Sequence, residues 1–149
     1  MTKVYLGLGT NLGKKKQNLI RAISLLEKQA GRIISVSDFI ESAPWGFESG
    51  NYFINAVIEI ETNLLPLDLL KSSQSIEKQL GRTAKSTNGY ADRIIDIDIL
   101  LYGDKVIDLP ELKIPHPLIA ERDFVLKPLL QIAPGILNPA TGKPYINHF

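Results

Sequence analysis

Apolar and polar positions follow two rhythms along the chain, and they divide it into alternating strands and helices. Val4 to Leu8 reads as a short buried strand, ending in a glycine-rich stretch, Gly7-Leu8-Gly9-Thr10-Asn11-Leu12-Gly13, with the composition of a tight turn. Leu19, Ala22, Ile23, Leu26 and Ala30 then recur at spacings of three and four, which places them on one face of a helix that Gly31 stops. Ile33 to Ile40 and Asn51 to Glu61 have the pattern of strands. Between them lies Ser42 to Gly50, a loop too aromatic to be a plain connector. A second helix is expected from Pro66, a residue favoured in the first turn, to Leu80, with Leu69, Ser73, Ile76 and Leu80 on its core stripe and Gly81 closing it. Lys85 to Gly89 is polar and reads as a surface loop, whereas Arg93 to Tyr102 is the most strand-like segment of all. Gly103-Asp104 suggests a tight turn into Lys105 to Asp108. The proline-rich remainder leaves room for short helices around Pro117 to Arg122 and Phe124 to Ile132.

The order strand-helix-strand-strand-helix-strand predicts a ferredoxin-like α+β sandwich, a mostly antiparallel sheet with helices packed on it. With 149 residues, 44% of them apolar, the chain fits one domain, 1–149, with a real core. No repeat, linker or low-complexity tract divides it. Seventeen lysines and arginines against sixteen acids leave no global field to recruit nucleic acid or a membrane. Without cysteine, neither disulfides nor thiolate metal sites can form. The N-terminus runs straight into a strand with no secretory h-region, and no apolar stretch is long enough to span a bilayer. The expectation is a cytoplasmic protein, a monomer, with no nucleic-acid or membrane partner.

Chemistry is concentrated in Arg93-Ile94-Ile95-Asp96-Ile97-Asp98-Ile99. Alternation along a strand sends Asp96 and Asp98 to one face and Ile95, Ile97 and Ile99 to the other. Two neighbouring carboxylates repel, and inside an apolar strand they also incur a desolvation cost. A divalent cation relieves both, and hard oxygen ligands suit magnesium; the other reading is a solvent-facing pair, or one neutralised by lysine and arginine. Arg82, Lys85 and Arg93 cluster upstream, fitting phosphate oxygens or a solvated basic loop. Gln74 and Glu77 share a helix face, where they would orient a ligand at the sheet or remain solvated. Phe53 and Asn55 alternate onto one strand face, suiting a flat polar heterocycle or forming a core phenylalanine beside a surface asparagine. Prolines on both sides hold His116 on a loop where it could reach a nucleotide or serve no specific role, and His148 near the end reads as structurally neutral.

Two familiar phosphate loops are excluded. Gly7, Gly9 and Gly13 miss the G-x-G-x-x-G spacing by one residue, and Gly13-Lys14 is followed by Lys15 rather than serine or threonine. The glycines are read instead as permitting a tight strand-to-helix turn.

Taken together these residues resemble the 6-hydroxymethyl-7,8-dihydropterin pyrophosphokinases. The resemblance spans nearly the whole chain: Tyr5 to Gly13, Ser42 to Gly46, Phe53 to Ala56, Gln74 to Arg82, Arg93 to Leu101, Ile114 to Pro117 and Arg122 to Phe124. It implies transfer of pyrophosphate from ATP to the pterin hydroxymethyl group with release of AMP, a step of folate biosynthesis. It further implies two magnesium ions held by Asp96 and Asp98, with Arg82 and Arg93 assisting the transfer. Pterin would meet Ser42, Ala43, Pro44, Trp45, Phe53, Asn55 and Phe124. ATP would meet Gln74, Glu77, Lys85, Tyr90, Arg93, Ile99, His116 and Arg122. Departures occur in the loops, where Ala84 and Lys85 follow Arg82 in place of a second arginine, and Tyr90-Ala91-Asp92 precedes Arg93 in place of Trp-Gly-Pro. A non-catalytic ligand-binding module and a small RNA-binding domain of similar architecture are the competing readings. Near-neutral charge and the absence of an aromatic RNP pattern weigh against the second.

Overall fold

A computed structural model of the chain describes residues 1–44, 50–81 and 94–149. Its elements in order are β1 (Thr2–Thr10), α1 (Lys15–Gln29), β2 (Arg32–Val36), β3 (Ile40–Ser42), β4 (Phe53–Thr62), α2 (Pro66–Gln79), β5 (Asp96–Tyr102), β6 (Ile107–Asp108), β7 (Lys113–Ile114) and α3 (Asp123–Ile132). A short 3-10 turn, Ile119–Glu121, precedes α3. The main sheet runs β2-β4-β1-β5, all antiparallel, with β3 also paired to β4. Counting only the four principal strands, this is the ferredoxin-like order predicted from the alternation of elements.

Each face of the sheet carries its own core. Val4, Leu6 and Leu8 of β1, Ile58 and Ile60 of β4 and Ile97 and Ile99 of β5 pack beneath the apolar stripes of α1 (Leu19, Ala22, Leu26) and α2 (Leu69, Ile76, Leu80). The opposite face presents Tyr5, Val57, Leu100 and Leu101, covered by Ile119 and by Leu126 and Leu129 of α3. Among the described residues, the apolar cover from α3 lies over Tyr5, Val57 and Leu100 and does not include the strand ends at Thr10, Phe53 and Asp96, where a site can open.

Two strand predictions need correcting. Gly7 and Gly9 lie inside β1, which continues to Thr10, and the turn begins only at Asn11. They are strand residues, not turn residues. The segment Ile33 to Ile40 is two strands rather than one. Ser37 interrupts it by engaging Val57 twice: its N–H donates to the Val57 carbonyl at 2.9 Å, and its Oγ accepts from the Val57 N–H at 2.8 Å. A side chain acting as a backbone surrogate shifts the register and lets the chain re-pair as β3.

The turn from β1 into α1 is fixed by Asn18, buried at the start of the helix. Its amide donates to the Leu12 carbonyl at 2.9 Å and to Thr10 Oγ1 at 3.3 Å. α1 ends at Gln29 with Ala30 as its cap, and residue 31 is glycine for a steric reason: a Cβ there would stand 2.3 Å from the carbonyl oxygen of Glu61 on β4.

Candidate active site

Cross-strand register brings distant segments into one row. Gly9 of β1 pairs with Asn55 of β4 on one side and Asp96 of β5 on the other. The next row on the same face is Val57, Gly7 and Asp98. Directly paired residues of an antiparallel sheet share a face, so Asn55, Asp96 and Asp98 all lie opposite the helix-packed core that holds Ile97 and Ile99. Phe53, two residues before Asn55, belongs to the same face. The two aspartates, Asn55 and Phe53 are thus assembled around a strip of glycine.

Asn55 is buried and held. Its Nδ2 donates to Ser42 Oγ at 2.7 Å and to the Ile40 carbonyl at 3.4 Å, both from β3, while its Oδ1 lies beside Gly9. The segment leading into Phe53 is tied down by Lys15, which donates to the Tyr52 carbonyl at 2.8 Å, and by Asn11, which donates to the Asn51 carbonyl at 3.2 Å. Asn11 and Asn18 are positioning residues that the sequence reading passed over. Asparagines buried at a strand end and among the apolar residues of a helix were the available signal.

The second helix contributes differently from expectation. Glu77 is 4% exposed, and its Oε2 accepts from the Ile97 N–H at 2.9 Å. β5 is an edge strand, so this carboxylate satisfies an outward-facing donor between the two aspartates. Gln74, one turn earlier, is half-buried. Ile99 is 4% exposed in the helix-side core, so only its backbone is available to a ligand.

His116 is hung on β5 by its N–H, which donates to the Leu100 carbonyl at 2.9 Å. Its Nδ1 accepts from the Leu118 N–H at 3.1 Å, which places the ring proton on Nε2. Burial, with the positive charge of Arg122 nearby, pushes His116 down to about 4, and Asp96 offsets this only in part. A neutral imidazole therefore offers an N–H near Asp96. Arg122 starts α3 through its carbonyl, and its guanidinium lies 5.8 Å from the centroid of the Phe124 ring, within cation–π range. Ser42 and Pro44 are half-buried and Ala43 exposed at the end of β3. Trp45, Arg82, Lys85, Tyr90 and Arg93 lie outside the described residues. His148 has a structural contact that was not expected: its Nε2 lies 2.6 Å from the Ala120 carbonyl, which ties the chain end to the turn before Arg122.

Whether these groups suit a metal can be judged from the donors. Among the described residues no group of three or more histidines and carboxylates gathers. Two half-buried carboxylates, with no soft ligand, match magnesium, which takes one or two carboxylates and completes its shell with phosphate oxygens and water.

A family model described as 7,8-dihydro-6-hydroxymethylpterin-pyrophosphokinase matches residues 5–134. The chain belongs to this family. It is accordingly an ATP-dependent diphosphotransferase. A relative from Porphyromonas gingivalis, named 2-amino-4-hydroxy-6-hydroxymethyldihydropteridine pyrophosphokinase, is 47% identical over 146 residues, 97% of this chain and 99% of the relative. One of the same name from Aquifex aeolicus is 44% identical over 144 residues, covering 97% and 88%. A folic acid synthesis protein of Dictyostelium discoideum is 45% identical over 136 residues, 91% of this chain and 20% of that longer protein. Among solved structures, a Plasmodium falciparum HPPK-DHPS protein with pteroate superposes with a TM-score of 0.77 at 17% identity, covering 97% of this chain and 43% of that one. At that identity the likeness concerns the fold. No helix among the described residues is long and apolar enough to cross a membrane.

Proposed function

We propose that this chain transfers pyrophosphate from ATP to the hydroxymethyl group of 6-hydroxymethyl-7,8-dihydropterin in folate biosynthesis, and does so on the sheet face around Gly9. The observation that carries the site is the row Asn55, Gly9, Asp96, which sets a heterocycle-reading amide and a metal-type carboxylate on either side of a bare strand.

In this reading Phe53 and Phe124 hold the pterin ring, and Asn55 reads its polar edge, with Ser42, Ala43, Pro44 and Trp45 beside it. Asp96 and Asp98 would hold magnesium, two ions by family resemblance. Bound there, the metal would neutralise phosphate charge and acidify the acceptor hydroxyl. His116 donates its Nε2–H to a phosphate oxygen, Arg122 supplies a fixed positive charge, and Gln74 and the Ile99 backbone meet the nucleotide. By family resemblance Lys85 and Tyr90 would complete the nucleotide side and Arg82 and Arg93 would meet the transferred group, while Glu77 acts through β5 by holding the Ile97 N–H. The acceptor oxygen bonds to the β-phosphorus, the bond from that phosphorus to the α–β bridging oxygen breaks, and AMP leaves while the hydroxyl proton is lost. No side-chain nucleophile is required, since such transfers depend on positioning and charge neutralisation. We further propose that the enzyme is cytoplasmic and acts as a monomer on small molecules alone.

Nucleotide products from ATP, measured with and without the pterin in magnesium and then in EDTA, test the reading. AMP that requires both pterin and magnesium supports it. ADP would mean a simple kinase, and no turnover would favour a binding module.

A further inference from the structure

Gly9 lies inside β1, one residue before its end and paired on both sides, and its φ is not positive. Backbone freedom therefore does not explain a glycine there, and glycine weakens a strand unless something approaches its Cα closely. Gly7, two residues earlier, shows the contrast. A Cβ at Gly7 would meet Leu100 Cδ2 at 3.4 Å, so the core already covers that position. A Cβ at Gly9 would meet Asn55 Oδ1 at 3.1 Å and the Phe53 ring at 3.5 Å. Both belong to the proposed pterin pocket, and neither is a core aliphatic.

Adjacent strands stand about 4.8 Å apart, so roughly 10 Å separates the Asn55 and Asp96 backbones. Among the described residues, the strand position between them in that row is Gly9, which offers only its Cα. Asn55 cannot give way easily, because its amide nitrogen is held by Ser42 Oγ at 2.7 Å.

We propose that Gly9 is a specificity-determining residue: its bare Cα is the floor over which the flat substrate lies, setting how deep the ring sits and how near its hydroxymethyl group comes to Asp96. This rests on the pterin and metal assignments above. A methyl at Gly9 asks the Asn55 amide to give by a few tenths of an ångström, and a ring that rests on the bare Cα would be lifted further; shifts of about 1 Å in a reacting group cost on the order of 10²-fold in rate. Gly9→Ala should therefore raise the KM for 6-hydroxymethyl-7,8-dihydropterin at least tenfold and lower kcat, while the Kd for magnesium-ATP stays within twofold of wild type. An unchanged pterin KM and kcat in a folded Gly9→Ala protein overturns the proposal, as does an equal loss of pterin and nucleotide binding, which marks a structural role.

Wild-type protein supplies a test that does not depend on the variant folding. With glycine labelled at ¹³Cα, the Gly9 Hα resonances should shift by ring current when the pterin is added, and the Gly142 resonances should not. Pterin binding that leaves Gly9 unmoved overturns the inference alone. No pterin binding by wild type, and no AMP, overturns the functional reading beneath it.

Discussion

The Glu77 carboxylate accepts a hydrogen bond from the Ile97 N–H at 2.9 Å, and so clamps the outer edge of β5 to α2 between the two aspartates. Glu77→Ala leaves that buried donor without this acceptor, which costs about 1–3 kcal/mol. Urea unfolding should register the loss, and magnesium titration of the nucleotide complex should show weaker metal dependence as Asp96 and Asp98 lose their fixed backbone. Glu77→Gln keeps an acceptor oxygen and should recover most of both effects. Equal losses in the two variants would point to the charge of Glu77 rather than to its grip on the strand.

The proposed metal role of Asp96 and Asp98 predicts a sharper separation of stability from activity. Asp96→Asn and Asp98→Asn preserve volume and strand geometry on a half-buried face, so each should unfold within about 1 kcal/mol of wild type. Losing one carboxylate ligand removes several kcal/mol of charge stabilisation, hence roughly 10²- to 10³-fold in kcat. Initial rates over a magnesium series check this, and turnover close to wild type in either variant would sink the assignment.

The alternation of Asp96 and Asp98 against Ile97 and Ile99 was legible from the sequence because period-two patterning is local. So were the helix over Pro66–Gln79 and the order of elements, from which the sheet topology follows. Gly9 was not legible: one-dimensional statistics read glycine clusters as turns, and only the register with Asn55 and Asp96 shows a strand stripped of side chains. The destination of Glu77 was equally hidden, because its partner lies twenty residues away across a helix–strand contact. Ser37 escaped notice because a serine that replaces backbone pairing looks, in sequence, like any strand serine.

His116 makes stability fall on the acid side. Its folded pKa, about 4, lies below the ordinary 6.5, so the unfolded chain binds more protons between those values. The stabilisation is present in full above pH 6.5 and is lost as pH falls towards and through 4. A difference of this size corresponds to about 3 kcal/mol. Chemical unfolding at pH 7 and pH 4.5 in EDTA should reveal the slope, and His116→Gln should flatten it. An unchanged slope in that variant would assign the acid sensitivity to other groups.

Gly31 offers the cleanest steric prediction in the scaffold. Its φ lies outside the left-handed region, but a Cβ would stand 2.3 Å from the Glu61 carbonyl oxygen and 3.0 Å from its carbonyl carbon. Both atoms belong to the β4 backbone, which is paired to β1 and β2 and cannot rotate aside as a side chain would. Gly31→Ala must therefore push the end of α1 away from the sheet, disturbing the bond of the Ala30 carbonyl with Thr62 Oγ1. Overpacking of this kind costs about 1–3 kcal/mol. Gly50→Ala is the control: nothing among the described residues lies within 4 Å of its added Cβ, and its φ is not positive. Thermal unfolding should lower the midpoint of Gly31→Ala by several degrees, about 2–4 °C per kcal/mol at this chain length, and leave Gly50→Ala within about one degree of wild type. Equal midpoints for the two variants would mean that α1 and β4 separate more readily than their packing implies.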